Sequence, residues 1–195
     1  DIATWLAAVA PGPVMLGGWS LGGMVALELA ARPAAPVERL LLIGTTPRFT
    51  TAADWPHGLP HAQVRALRRN LERHFQATLG DFFALTFTDG EADAGRLRAI
   101  RAFAVRPGGL PDRETAAACL DLLAMQDQRG LLQAIGCPAL VLHGTADRVT
   151  PFEAGRTLAD VLPNGQLREF VAAGHAPFWT QPLVVAKAIR EFCAW

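Results

Sequence analysis

A chain of 195 residues, 51% of them apolar, has room for one compact domain with a sizeable buried core. Its 18 basic side chains balance 18 acidic ones for a formal charge of +0, so no global field draws it to DNA, RNA or an anionic membrane surface. The 3 cysteines, Cys119, Cys137 and Cys193, are far apart and in no ligand-like spacing; they read as buried thiols of a reducing compartment and suggest neither a disulfide framework nor a zinc site.

In chain order, the first residues show a helix-like pattern (Ile2, Trp5, Leu6, Val9). Asp1 to Ala10 lack the charged start and cleavage site of a signal peptide. No apolar run approaches the ~20 residues that span a bilayer, so the expectation is a cytoplasmic monomer that needs no cofactor. Val14–Gly17, after Pro11-Gly12-Pro13, reads as a buried strand, and Leu21 to Arg32 as a helix stopped by Pro33. Val37–Ile43, bounded by Gly44, is a second strand. Residues 45–135 then carry no strand signal, only helical stretches at Ala62–Thr78, Ala92–Val105 and Asp112–Met125. Ala139–Leu142 and Gln166–Val171 restore the strand pattern, separated by a helix over Pro151 to Leu162 and followed by one over Pro182 to Phe192. Alternating strands and helices predict an α/β fold, a mostly parallel sheet covered on both faces. Its core would be residues 1–44 and 136–195, with 45–135 inserted as a helical cap.

Three loops carry the chemistry. Gly18-Trp19-Ser20-Leu21-Gly22 lies between a predicted strand and a predicted helix, the setting of a nucleophile elbow. Ser20 would be the nucleophile, and the backbone N–H of Leu21, at the helix N-terminus, an oxyanion donor. Asp147 follows the Ala139–Leu142 strand, and His175, in Gly174-His175-Ala176-Pro177-Phe178, follows the next strand. The order Ser, Asp, His is that expected of α/β-hydrolases. His143 ends a strand and reads as core edge; His57, His61 and His74 fall in the helical insertion and read as surface. Asp54, Asp81 and Asp127 lie outside the strand-end loops. In the expected mechanism His175 takes the Ser20 proton, Ser20 attacks an ester carbonyl, and water then clears the acyl-enzyme.

On these residues the chain resembles the α/β-hydrolases and, more narrowly, the pimeloyl-acyl-carrier-protein methyl ester esterases of biotin synthesis. The narrower likeness rests on Gly44-Thr45-Thr46-Pro47-Arg48-Phe49 with Trp55-Pro56, on Phe82-Phe83-Ala84-Leu85-Thr86, and on Gly174 to Phe178, over a similarity running from about Val14 to the C-terminus. The resemblance implies catalytic Ser20, Asp147 and His175, oxyanion donor Leu21, and a substrate site including Trp19, Phe82, Phe83, Ala84, Leu85 and Thr86. Core packing of the cap is the other reading of the phenylalanines. The resemblance further implies acyl carrier protein as partner, met by basic cap residues such as Arg65, Arg69 and Arg73. Solvated helix faces explain those arginines equally well, and Asp81 and Ala94 stand where the family pattern has arginine.

Against the family pattern, the strands before Val14 and the loop giving a second oxyanion donor are missing. The expectation is an N-terminally incomplete α/β-hydrolase whose 195 residues alone are aggregation-prone and nearly inactive. Lactone or small-ester hydrolysis, or a non-catalytic relative of the fold, are the alternatives.

Overall fold

The computed structural model describes residues 12–33, 36–104, 106 and 111–194. The helix-like pattern of Ile2 to Val9 and the Val105 end of the predicted Ala92–Val105 helix lie outside these residues. Among the described residues, four parallel strands form one sheet: β1 (Val14–Trp19), β2 (Val37–Ile43), β3 (Ala139–Gly144) and β4 (Gly165–Phe170), side by side in that order. Helix α1 (Leu21–Ala30) links β1 to β2, and α6 (Phe152–Val161) links β3 to β4. After β4 come the short α7 (Pro177–Thr180) and α8 (Pro182–Cys193).

The unbroken apolar runs of β2 and β3 are explained by burial on both faces. Leu40, Leu42, Ala139 and Val141 pack with Ala26 and Leu27 of α1 and Leu158 and Ala159 of α6. Their alternates Leu41, Leu140 and Leu142 pack on the opposite face with Val185, Ala188 and Phe192 of α8. A period of two thus sends neighbouring leucines into separate cores.

Between β2 and β3 stand α2 (His61–Arg73), α3 (Phe75–Leu85), α4 (Ala94–Ala104) and α5 (Arg113–Met125), then a 3₁₀ turn at Arg129–Ala134. Val64 and Leu71 of α2, Leu79 of α3 and Leu120 of α5 share a third apolar cluster with Phe49 and Val149. The helix expected over Ala62–Thr78 is broken at His74, whose backbone (φ −138°, ψ 52°) turns the chain so that α2 and α3 both join that cluster. Arg73-His74-Phe75 contains no glycine or proline to announce the break. The 3₁₀ turn and α7 are likewise too short for a periodic signal. The thiols also differ from expectation: Cys193 is exposed at the end of α8, and Cys119 and Cys137 are only half-buried.

Paired positions bring the strand ends into line. Trp19 is opposite Ile43, Ile43 opposite Leu142, and Gly144 opposite Phe170. The loops that follow β1, β3 and β4 therefore open at one edge of the sheet, the carboxyl edge where open α/β sheets bind ligands.

Candidate active site

Ser20 is the first residue after β1, and it holds φ 54°, ψ −122°, a backbone region that non-glycine residues occupy only under strain. Its surroundings fix it there. The Ser20 N–H donates to the Ile43 carbonyl (2.9 Å), and its own carbonyl accepts from the Thr45 hydroxyl. The turn is so tight that a Cβ on Gly18 would lie 2.2 Å from the Gly22 carbonyl oxygen, so glycine is required at that position. Leu21 opens α1, so its N–H has no acceptor within the helix.

Asp147 lies in the loop after β3 with its side chain fully buried. Oδ1 accepts from the backbone N–H groups of Val149 (2.8 Å) and Thr150 (2.9 Å). Oδ2 lies 2.8 Å from the Thr150 hydroxyl and 2.7 Å from Nδ1 of His175. Burial alone would push this carboxyl up, but hydrogen bonds from His143 and His175 outweigh it and hold Asp147 well below the usual carboxylate range. His143 was expected at the core edge, and it is buried there; it also reaches the acid, with Nε2 at 3.3 Å from Oδ2.

His175 sits in the loop after β4. Its Nδ1 proton goes to Asp147, so Nε2 is left as a lone-pair acceptor, buried and without a hydrogen-bond partner among the described residues. Trp19 braces it from the elbow: the indole N–H donates to the His175 carbonyl (2.9 Å), and the rings lie 5.4 Å apart. The His175 N–H donates to the Thr86 carbonyl (2.9 Å).

Ser20, Leu21, Trp19 and His175 line one cavity of about 320 Å³. Its other walls are apolar and come mainly from the helical segment: Leu67 and Leu71 of α2, Leu79, Phe82 and Phe83 of α3, and Leu120 and Leu123 of α5. The sequence-predicted substrate residues are thereby divided. Phe82 and Phe83 line the cavity with Ser20, whereas Ala84 and Leu85 line a separate hollow with Asp81, Thr88 and Arg148. Thr86 is buried and lines neither; it carries the His175 loop through its carbonyl. Helix α3 rotates its successive residues through 100°, so five consecutive positions cannot all face one cavity.

Three further residues touch these groups in ways the sequence reading did not foresee. His143, read there only as core edge, and Thr150 both contact the Asp147 carboxylate, and Glu91 accepts a hydrogen bond from Gly174, next to His175. Glu91 is 83 positions from Gly174 in the chain, and no spacing rule links them. His57 packs edge-on against Trp55, His61 and His74 are exposed, and Asp127 pairs with Arg48 and Arg129, so none of these joins the site. Among the described residues no helix is long and apolar enough to cross a membrane.

Comparison with known proteins gives a family profile described as alpha/beta hydrolase fold over residues 1–182, which carries the similarity in front of Val14, where it was expected to begin. A pimeloyl-[acyl-carrier protein] methyl ester esterase of Chromobacterium violaceum is 38% identical over 193 residues, covering 97% of this chain and 74% of that protein. One from Nitrosomonas europaea is 36% identical over 172 residues, covering 88% and 68%. Among solved structures, an esterase from Exiguobacterium antarcticum superposes with a TM-score of 0.89 at 23% identity, covering 100% of this chain and 72% of that one. An enol-lactonase from Burkholderia xenovorans shares the same fold, with a TM-score of 0.83 at 23% identity, covering 100% and 71%.

Proposed function

The chain belongs to the alpha/beta hydrolase fold family, among the pimeloyl-[acyl-carrier protein] methyl ester esterases, and from that premise we propose a serine carboxylesterase. Its substrate is the methyl ester of a pimeloyl-type chain carried on acyl carrier protein, and its place, by the same resemblance, is biotin synthesis. The observation that carries the reading is one cavity lined by both strained Ser20 and His175, whose Nε2 has no hydrogen-bond partner among the described residues. Its remaining walls suit an aliphatic acyl chain.

The steps follow from these atoms. Nε2 of His175 accepts the Ser20 hydroxyl proton as Oγ bonds to the ester carbonyl carbon. Asp147, ionised and fixed by its own donors, orients the imidazole and stabilises the imidazolium. The Leu21 N–H, at the N-terminus of α1, faces the developing oxyanion. The bond to the methoxy oxygen then breaks, and methanol leaves with the proton from His175. Water repeats the cycle on the acyl-enzyme, releasing the free acid and Ser20. Residues 45–135 act as the cap that supplies Phe82 and Phe83 to the acyl chain.

Hydrolysis tests the reading. Protein expressed from the complete gene and given methyl-pimeloyl acyl carrier protein is expected to release methanol, and the Ser20→Ala variant to release none. Methanol release equal in the two proteins overturns the assignment.

A further inference from the structure

Glu91 lies in the turn between α3 and α4, within the cap segment, yet its carboxylate is bonded to the loop that carries His175. Oε2 accepts the Gly174 backbone N–H at 2.9 Å, and Oε1 accepts the Thr180 hydroxyl at 2.6 Å. The two anchors flank His175, one immediately before it and the other at the end of α7. Oε2 also accepts the Thr88 N–H at 2.8 Å, which holds the carboxylate against its own turn.

The neighbouring contacts run across the same seam. The Thr86 carbonyl accepts the His175 N–H, the Thr88 hydroxyl lies 3.1 Å from the Ala172 carbonyl, and Arg96 donates to the Trp179 carbonyl. The approach is close enough that a Cβ on Gly174 would lie 2.5 Å from the Thr86 carbonyl oxygen and 3.0 Å from Oε2 of Glu91. Among the described residues on the cap side of this seam, Glu91 alone offers a carboxylate acceptor to a backbone N–H adjacent to His175. Such charge-assisted bonds are about twice as strong as neutral ones. On its sheet side the same loop is held by neutral bonds, the Ala172 N–H to the Thr145 hydroxyl (2.9 Å) and the Ala146 N–H to the Ala173 carbonyl (3.0 Å), while Val171 and Ala172 are exposed and Ala172 has φ 57°.

We propose that Glu91 is a positioning residue for His175: it clamps the Gly174–Thr180 segment to the cap, so that the imidazole keeps its place in the wall of the Ser20 cavity. The proposal rests on the esterase reading above. It makes the cap part of the machinery that sets base geometry. Residues 82–91 then run from the acyl-lining phenylalanines to the clamp in one short stretch. Displacements of about 1 Å in such geometry are enough to cost up to a hundredfold in rate.

The test compares Glu91→Ala and Glu91→Gln with the parent protein, each expressed from the complete gene. A short p-nitrophenyl ester gives kcat and KM, and a fluorophosphonate probe gives the number of reactive serines and their labelling rate. Glutamine can accept the Gly174 and Thr88 protons with its oxygen and donate to Thr180 with its amide. The expected result is a kcat about tenfold lower for Glu91→Ala at little-changed KM, full label stoichiometry reached more slowly, and recovery to within about threefold in Glu91→Gln. Unchanged kcat in Glu91→Ala, a glutamine variant as impaired as the alanine one, or a loss accounted for by fewer labelled chains would each overturn it. If turnover persists in Ser20→Ala, the esterase reading falls and this assignment with it; Ser20-dependent labelling at an undiminished rate in Glu91→Ala removes the Glu91 assignment alone.

Discussion

Nε2 of His143 lies 2.9 Å from the Thr150 carbonyl and 3.3 Å from Oδ2 of Asp147. Both neighbours are acceptors, so Nε2 carries the proton. Nδ1 is buried without a partner among the described residues. His143 is therefore a donor to the carboxylate that also holds Nδ1 of His175. Replacing it with leucine removes a donor from a buried carboxylate, at a cost of about 1–3 kcal/mol in stability together with a lower kcat. His143→Gln keeps an N–H in reach and should recover most of both. Thermal melts with parallel kcat measurements check this, and a leucine variant as stable and active as the parent would refute it.

Acid stability follows from two carboxyls. Burial opposes ionisation of Asp147, but its histidine partners hold it low; the hydrogen bond from Arg129 chiefly holds Asp127 low. A carboxyl depressed in the folded state contributes stability that is fully present above its unfolded value, about 3.9, and is lost as pH falls through the folded value. The melting temperature of Asp127→Asn should thus lie below the parent's at pH 7, with the gap closing as pH is taken from about 5 towards 2. A gap that widens on acidification would contradict the sign.

Phe82 and Phe83 offer the test of acyl recognition. Truncating either to alanine removes apolar contact worth about 1–3 kcal/mol to a long chain and almost none to an acetyl group. The ratio of kcat/KM for a heptanoyl over an acetyl ester should fall about tenfold or more. Leu85→Ala, at a residue lining the separate hollow, should leave that ratio unchanged.

Arg65, Arg69 and Arg73 are exposed on α2, the helix whose Leu67 and Leu71 line the cavity. An acidic carrier protein docked beside the cavity would meet these side chains. Reversing Arg65 and Arg69 to glutamate should raise KM for the carrier-bound ester severalfold, more at low salt than at high, and leave the free methyl ester untouched. Equal effects on both substrates would remove α2 from the docking surface.

The sequence makes the sheet and the strand-end loops legible because both depend on local pattern. The apolar runs around Leu40 to Leu42 and Leu140 to Leu142 announce doubly buried strands, and Gly18 to Gly22 sits where a strand must hand over to a helix. Ser20, Asp147 and His175 could be picked out by following that order. Long-range partners are the illegible part. Glu91 meets Gly174, and Thr86 meets His175, across more than eighty residues with no shared periodicity. The division of residues 82–86 between cavity, hollow and loop support depends on the rotation of α3 against α2 and α5, which no motif records. His143 is an intermediate case: its burial follows from its strand-end position, but its bond to Asp147 depends on how the loop folds back.

The central claim is that Ser20 is a nucleophile activated by His175. Intact mass and peptide mapping after exposure to a fluorophosphonate probe address it most directly. A single adduct is expected on the peptide containing Ser20, absent from Ser20→Ala and formed far more slowly in His175→Ala. An adduct on another residue, or labelling undiminished by Ser20→Ala, would contradict it.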